Sequence, residues 1–442
     1  NVPHDWVVEL PFVKSTTHEM DTHGYKPVGS AYPETSIGWY RKHFSIDKKD
    51  KDKRFELQFD GIYRNAAIWI NGFYVGTNFS GYLGNTYDVT DFMNFEGDNV
   101  IVIRVDATQA EGWFYEGAGI YRHVWLNITN KVFIPDDGIF VHSEIKGKNA
   151  VTTIETTVQN NYLRNSDGIV YSYITDRNGK ILAKTSEQKI NLGIRKEVTL
   201  KQKVNLSNVR LWSVDDPYLY KVITVVKSDN QIVHQTKTRF GIKNVRFDAN
   251  EGFFLNGKHL KIQGTNNHQD HAGIGSALPD YMQYYRIKLL KEMGCNAYRA
   301  SHNAPTPELL EACDSLGMLV LDEQRLLNSS PEYIDQFKRI LKRDRNHPSV
   351  FLWSIGNEEQ NIQGNDYGKK IAQTLLAIQE DLDPTRTSTY AADMANDFKG
   401  VNEVIPIRGF NYREYAVADY HRDHPHQPLL GTEMGSTVTT RG

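Results

Sequence analysis

Apolar and polar residues alternate with a period of two through much of the first 240 positions. Clear examples are the runs at 55–61 (FELQFDG), 66–76 (AAIWINGFYVG) and 99–107 (NVIVIRVDA), which are rich in β-branched and aromatic residues and bounded by turn signals. Such alternation sends one face of a strand to a core and the other to water. Asn71-Gly72 lies inside the second run and predicts a tight hairpin turn, because both central positions of that turn need positive φ. No helical period interrupts residues 1–130, which predicts an all-β domain, a jelly-roll-like sandwich. A second β region, 131–241, carries strand patterns at 151–160, 168–176, 197–206 and 219–229. Its length and turn spacing predict an immunoglobulin-like sandwich.

The pattern changes near Gly241. From 242 to 442 short apolar runs alternate with amphipathic stretches, the signature of a parallel βα architecture. Strands are predicted at 259–264, 297–302, 319–323, 350–358, 388–393, 406–412 and 429–435, and helices at 279–294, 306–317 and 367–382. Those are seven strands. A closed (β/α)₈ TIM barrel needs eight and roughly 250 residues, so the expectation is a barrel that is incomplete in this chain, truncated before its last strand.

At about 150 residues per domain, 442 residues suit three domains. Fifty-one Lys and Arg against 54 Asp and Glu give a formal charge of −3, without the basic excess of a polyanion binder, so no nucleic-acid partner is expected. No run of about 18 apolar residues occurs and the mean hydropathy is −0.54, which excludes a helical membrane span. Cys295 and Cys313 are the only cysteines and form no CxxC pair, so neither a disulfide scaffold nor a cysteine metal site is expected. The chain starts at Asn1 with no charged-then-apolar leader and reads as processed or trimmed. Localisation is left open, with a periplasmic or secreted site favoured if a signal peptide was removed.

In a TIM barrel the active site lies at the C-terminal ends of the strands. Here those ends are polar: His268, Arg299 with His302, Glu323, Asn357-Glu358, Asp393, Tyr412 and Glu433. Any one of them could merely cap a strand. Glu358 ends the fourth predicted strand and Glu433 the seventh, so in a barrel of eight they would face one another across the mouth. Paired carboxylates across a cleft are what glycosidic cleavage requires, one to protonate the leaving oxygen and one to attack or to activate water. No His-x-Glu or Glu-x-x-His spacing accompanies Glu358, which argues against a metal use. His421, His424 and His426 read as a solvated loop rather than a metal site.

The run DRNHPSVFLWSIGNE at 344–358 resembles the acid/base segment of glycoside hydrolase family 2, the group of β-galactosidases, β-glucuronidases and β-mannosidases. The resemblance extends to LKIQGTNNHQDH (260–271), to the segment 299–323, to GFNY (409–412) and to GTEMG (431–435). It also takes in EGWFYEGAGIYRHVWL (111–126) in the first β region, and LWSVDDPYLY (211–220) with RFGIK (239–243) at the exit from the second. It covers essentially the whole chain in the family's domain order.

The resemblance implies a retaining double displacement, with Glu358 as general acid/base and Glu433 as nucleophile. Asn357 would hold the sugar 2-hydroxyl, Tyr412 would hydrogen-bond the nucleophile, and Arg299 would lie beside it. Glu358 would be kept partly protonated by burial and by repulsion from Glu433. His268 and His302 would touch sugar hydroxyls or support the site. The loop around Trp113, Phe114 and Glu116 would either reach the substrate, with Glu116 as a contact, or belong to the core. The segment after the third strand, DEQRLLNSSPE (322–332), departs from the family's usual DE-aromatic run, and the Glu-x-His magnesium pair of some family β-galactosidases has no equivalent. Neither a metal nor a cofactor is expected. The function implied is an exo-acting β-galactosidase of terminal β-D-galactosyl residues, with a carbohydrate as partner and a homo-oligomer left open. A β-glucuronidase or other β-glycosidase of the family, and a non-catalytic carbohydrate-binding scaffold, stand as alternatives.

Overall fold

The computed structural model describes residues 1–14, 31–33, 36–109, 111–112 and 114–435. Its first unit is a sandwich of two antiparallel sheets. One has the strands Ile37–Phe44, Asn99–Asp106, Ala66–Ile70 and Phe73–Asn78 in that spatial order, and the other has Asn85–Asp88, Arg54–Phe59 and Val124–Thr129. Burial alternates strictly along Asn99–Asp106 and Ala66–Ile70, as their sequences predict. Phe55, Leu57, Ile68, Ile101, Ile103 and Val105 fill the space between the sheets. Ile70 pairs with Phe73 across the predicted turn, where Asn71 (φ 50°) and Gly72 (φ 85°) supply the two positive φ values. Arg54–Phe59 is buried on both faces at most positions, because its outer side meets the second unit and the Arg54 guanidinium stands 4.1 Å over the Phe133 ring.

The second unit is also a two-sheet sandwich. Asn149–Asn160 pairs with Val132–Phe133, Ile139–Lys146 and Glu197–Leu206 in one sheet. Ser166–Thr175, Tyr220–Ser228 and Gln231–Phe240 form the body of the other, with Ile181–Lys184 and Gln188–Leu192 also paired to Ser166–Thr175. Ile154, Val158, Val170, Ile174, Val222 and Phe240 are its core.

A small antiparallel ribbon, Val245–Asp248, Gly252–Leu255 and Lys258–His259, leads into the third unit. There seven parallel strands follow one another in chain order: Gly264–Asn267, Ala297–Ala300, Leu319–Glu323, Val350–Asn357, Ser388–Ala392, Ile407–Asn411 and Leu429–Glu433. They form a nearly closed TIM-like barrel, and among the described residues the first and seventh strands do not pair. Unlike the sandwich strands, the second to sixth are buried almost continuously, as a sheet covered on both faces must be, whereas the first and seventh, at the two open edges, are partly exposed. Five helices, Asp280–Glu292, Pro307–Leu316, Pro331–Asp344, Asp366–Leu382 and Val417–Asp423, cover the outside. No helix among the described residues is long and apolar enough to cross a membrane.

Three elements differ from expectation. The first barrel strand is not at 259–264 but starts at Gly264, because His259 is held in the ribbon opposite Phe254. Gly264 lies so close to the neighbouring strand that a Cβ would stand 2.5 Å from the Ala297 carbonyl oxygen. The helices Pro331–Asp344 and Val417–Asp423 add to the predicted set; the first begins Ser330-Pro331 and buries Phe337, Ile340 and Leu341 along one face.

The first sandwich is tied to the barrel through a buried carboxylate. Asp5, 2% exposed, accepts hydrogen bonds at Oδ1 from the Val7 and Ala118 amides (3.1 and 3.0 Å). Its Oδ2 accepts from the Tyr115 hydroxyl (2.8 Å) and from the amide and hydroxyl of Ser276 (2.9 and 3.0 Å). One side chain thus joins the N-terminal turn, the loop 115–118 and a barrel loop. Asp5→Ala strands buried donors on all three, so a loss of about 2–4 kcal/mol in urea unfolding is expected; a change below about 0.5 kcal/mol would contradict this reading.

Candidate active site

The C-terminal ends of the barrel strands converge on Arg299, which is 4% exposed and sits in the second strand. Its guanidinium donates to both oxygens of Glu323 at the end of the third strand (2.7–3.0 Å), to Glu433 Oε2 at the end of the seventh (2.9 Å) and to Asn357 Oδ1 at the end of the fourth (2.8 Å). Glu323 is fully buried; burial would raise its pKa, but Arg299 and the hydrogen bond with His302 outweigh that and hold it below the ordinary carboxylate range. Its Oε2 also accepts from the Ser354 hydroxyl (2.8 Å). His302 spans two carboxylates, with Nδ1 2.8 Å from Glu323 Oε1 and Nε2 3.7 Å from Glu433 Oε2. Burial pushes its pKa down, which favours the neutral ring.

Glu433 is 6% exposed and receives two donors, Arg299 on Oε2 and the Tyr412 hydroxyl on Oε1. The Tyr412 amide also donates to the Glu433 carbonyl (2.8 Å), which fixes the sixth strand's end against the seventh's. Glu358 is more open. Burial raises its pKa and the charges of Glu433 and Asp393 add to that, against a hydrogen bond from Asn411 that lowers it. The two glutamates therefore sit in unlike surroundings, one clamped between donors and one biased toward its protonated form. Glu358 (φ 56°) and Tyr412 (φ 55°) both adopt left-handed backbone just past a strand end, where L side chains are uncommon.

Asn357 Oδ1 accepts from Arg299 and from Asn411 (3.0 Å), which fixes the orientation of its amide. Both N–H groups of that amide are left for a ligand, with no acceptor for them among the described residues. His268 is anchored through Nδ1 to the Ser301 carbonyl (2.9 Å) and stacks on Phe114 at 4.5 Å and 11°. Phe114 also packs against His302 at 6.0 Å, so the aromatic loop of the first sandwich forms part of the site wall. Trp113, its neighbour, lies outside the described residues.

Glu116 is placed differently from its expectation as a substrate contact. It is fully buried and its carboxylate accepts from the Tyr82 hydroxyl and from the Glu111 and Gly112 amides (3.2 and 2.8 Å), so it braces the loop that carries Phe114. The departing segment after the third strand folds inward: Arg325 stands 5.5 Å over the Phe114 ring and donates to the Glu111 carbonyl. Glu359, next to Glu358, is also turned in, accepting from the Leu327 amide (2.9 Å) and the Tyr390 hydroxyl (2.8 Å), and burial raises its pKa to about 7. His424 stacks on Phe398 at 4.1 Å. Among the described residues the one group with metal-like spacing is His123, Asp280 and Glu308, at the junction of sandwich and barrel. Asp280 and Glu308 open two helices, whose positive N-terminal ends disfavour a cation.

Asn411 and Thr432 escaped sequence reasoning. Each immediately precedes a candidate in the chain, Tyr412 and Glu433, and each lies inside a run already singled out, GFNY and GTEMG. The front half of 344–358 has a different task from its end. The Asn346 amide exchanges hydrogen bonds with Ile139 and Val141 of the second sandwich (2.7 and 2.9 Å), His347 pairs with Asp314 at 2.7 Å, and Arg345 stands 4.4 Å over Phe140.

Two sandwiches ahead of a parallel barrel, with Glu358 and Glu433 at the barrel's mouth, define a three-unit protein of β, β and βα-barrel type. The family models described as the sugar binding domain, the family domain itself and the TIM barrel domain of glycosyl hydrolases family 2 match residues 25–130, 132–243, and 247–330 with 327–442. The chain belongs to glycosyl hydrolases family 2. It is 33% identical over 489 aligned residues to a β-galactosidase of Bacteroides ovatus, an alignment that covers 100% of this chain and 56% of that relative. A family 2 member from Bacteroides cellulosilyticus has a TM-score of 0.90 at 32% identity, covering 98% of this chain and 57% of that one. A β-glucuronidase of Bacteroides uniformis, solved covalently bound to a cyclophellitol-6-carboxylate aziridine, has a TM-score of 0.83 at 27% identity, over 97% and 55% of the two chains. The chain thus spans little more than half the length of these relatives.

Proposed function

We propose that this chain carries the catalytic machinery of a retaining exo-β-glycosidase that releases terminal β-D-galactosyl residues from oligo- or polysaccharides. The observation that carries the reading is the unlike treatment of two carboxylates at one barrel mouth. Glu433, clamped by Arg299 and Tyr412, attacks the anomeric carbon while Glu358, whose pKa is raised by burial, gives its proton to the departing glycosidic oxygen. The C–O bond to the aglycone breaks as the bond to Glu433 forms. Glu358, now a carboxylate, then takes a proton from the water that attacks the glycosyl-enzyme and frees Glu433. Asn357 donates to the 2-hydroxyl, a contact that strengthens as positive charge grows on the ring. The assignment to galactose rests on the Bacteroides ovatus β-galactosidase, similar over the whole chain. The second reading, a β-glucuronidase, is favoured by the likeness to the Bacteroides uniformis enzyme.

The role of Glu358 has a direct test in the full-length protein. Glu358→Ala is expected to lower kcat/KM by about 10³-fold on an alkyl galactoside, whose leaving group needs a proton, and by less than about 10-fold on a dinitrophenyl galactoside. An equal loss on both would contradict the role. Because the pKa of Glu358 is raised, kcat/KM of the parent protein should fall on the alkaline side, at a pH above the ordinary glutamate range.

A further inference from the structure

We propose that Asn411 is a positioning residue that orients the Glu358 carboxyl and determines which of its oxygens carries the proton. Asn411 is fully buried at the end of the sixth strand, which pairs with the fifth and the seventh, and its side chain reaches the end of the fourth. Its Nδ2 donates to Glu358 Oε1 at 2.7 Å and to Asn357 Oδ1 at 3.0 Å, which uses both of its N–H groups. Its Oδ1 lies 2.6 Å from the Thr432 hydroxyl, closer than the Phe410 carbonyl that the same hydroxyl also meets at 3.0 Å. Thr432 can donate to that oxygen, and the flip of the Asn411 amide is set at its other end, where Asn357 Oδ1, held as an acceptor by Arg299, takes an N–H. In that flip both N–H groups point at the fourth strand; in the other, an amide oxygen would face the Glu358 and Asn357 oxygens. With Oε1 of Glu358 accepting from Asn411, the acidic proton sits on Oε2, and Oε2 delivers it to the substrate.

The relay runs Thr432, Asn411, then Asn357 and Glu358. Its two ends lie beside the two glutamates, so the placement of the acid is tied to the strand that carries Glu433. The bond from Asn411 favours the ionised form of Glu358, in opposition to burial and to the Glu433 charge. Asn411 therefore sets how far up the pH scale Glu358 stays protonated.

The inference rests on the reading of Glu358 as acid/base, and the experiment separates the two. Asn411→Leu removes both donors at similar volume, and Thr432→Val removes the hydroxyl while leaving the amide in place. In the full-length protein, Asn411→Leu is expected to lower kcat/KM on an alkyl galactoside about 10- to 100-fold and on a dinitrophenyl galactoside less than about 3-fold. The alkaline limb of its kcat/KM profile should move up by about one pH unit, since losing a donor to the carboxylate favours the protonated form. Thr432→Val should shift the limb in the same direction by less, and it carries the test if Asn411→Leu does not fold. A purely structural role would lower activity without moving the limb. If Glu358→Ala shows the leaving-group dependence but neither variant moves the limb, the Asn411 inference is overturned. If Glu358→Ala shows no such dependence, the acid/base reading itself falls.

Discussion

Glu433→Gln is expected to lower turnover of aryl β-galactosides at least about 10⁴-fold while leaving the protein folded. The substitution removes the nucleophilic oxygen anion at nearly constant volume. An amide oxygen still accepts from Arg299 where Oε2 did, and an amide N–H₂ can donate to the Tyr412 hydroxyl oxygen where Oε1 accepted. Arg299 keeps its bidentate pair with Glu323, so no buried charge is left uncompensated. Far-UV circular dichroism and cooperative unfolding should match the parent. Retention of more than a few per cent of activity would remove Glu433 from the mechanism.

Arg299→Met is expected to cost about 3–5 kcal/mol of stability, because it breaks a buried ion pair from one side. Glu323 would remain fully buried with only His302 and Ser354 to satisfy it. Activity should fall with stability, since Asn357 and Glu433 lose a shared donor. The pH dependence has a definite sign. In the parent, Glu323 is held below its unfolded pKa, so its contribution is present above that pKa and is lost as pH falls through the lower, folded value. In the variant, burial without Arg299 raises the folded pKa instead, so the folded state gains a proton and the deficit against the parent shrinks toward acid pH. Urea unfolding at pH 5 and pH 8 measures this, and Arg299→Met with Glu323→Gln should recover part of the loss. A deficit equal at both pH values would contradict the assignment of the cost to Glu323.

What the sequence discloses follows from the range of the interactions involved. Strands with unbroken alternation, such as Asn99–Asp106 and Glu197–Leu206, are legible because one residue period decides their burial. Short members such as Val132–Phe133 and Ile181–Lys184 are not, since pairing with a distant strand defines them. The barrel's order is legible from its βα repeat, which expects Glu358 to end the fourth strand, one residue past the observed end at Asn357, and puts Glu433 at the end of the seventh. The start of its first strand is not, because Gly264 is set by contact with Ala297.

Within the site, the residues that cap strands could be read and those that hold them could not. Asn411 meets Glu358 across the fifth strand, a contact between distant segments that no local pattern records. Glu116 shows the converse. Its neighbours in an aromatic-rich loop suggest a ligand contact, whereas two amides and a tyrosine bring its carboxylate inward. In the run 344–358 one stretch of sequence serves two purposes, since Asn346 docks the second sandwich and His347 a barrel helix, and only Asn357 and Glu358 reach the mouth.

The most direct measurement is to trap the glycosyl-enzyme. The full-length protein would be incubated with a dinitrophenyl 2-deoxy-2-fluoro-β-galactoside, which slows release of the intermediate more than its formation, then digested and mapped by mass spectrometry. Stoichiometric labelling of the peptide that contains Glu433, absent in Glu433→Gln, is expected. A label on any other residue, or hydrolysis with inversion at the anomeric carbon, would contradict the double displacement at Glu433.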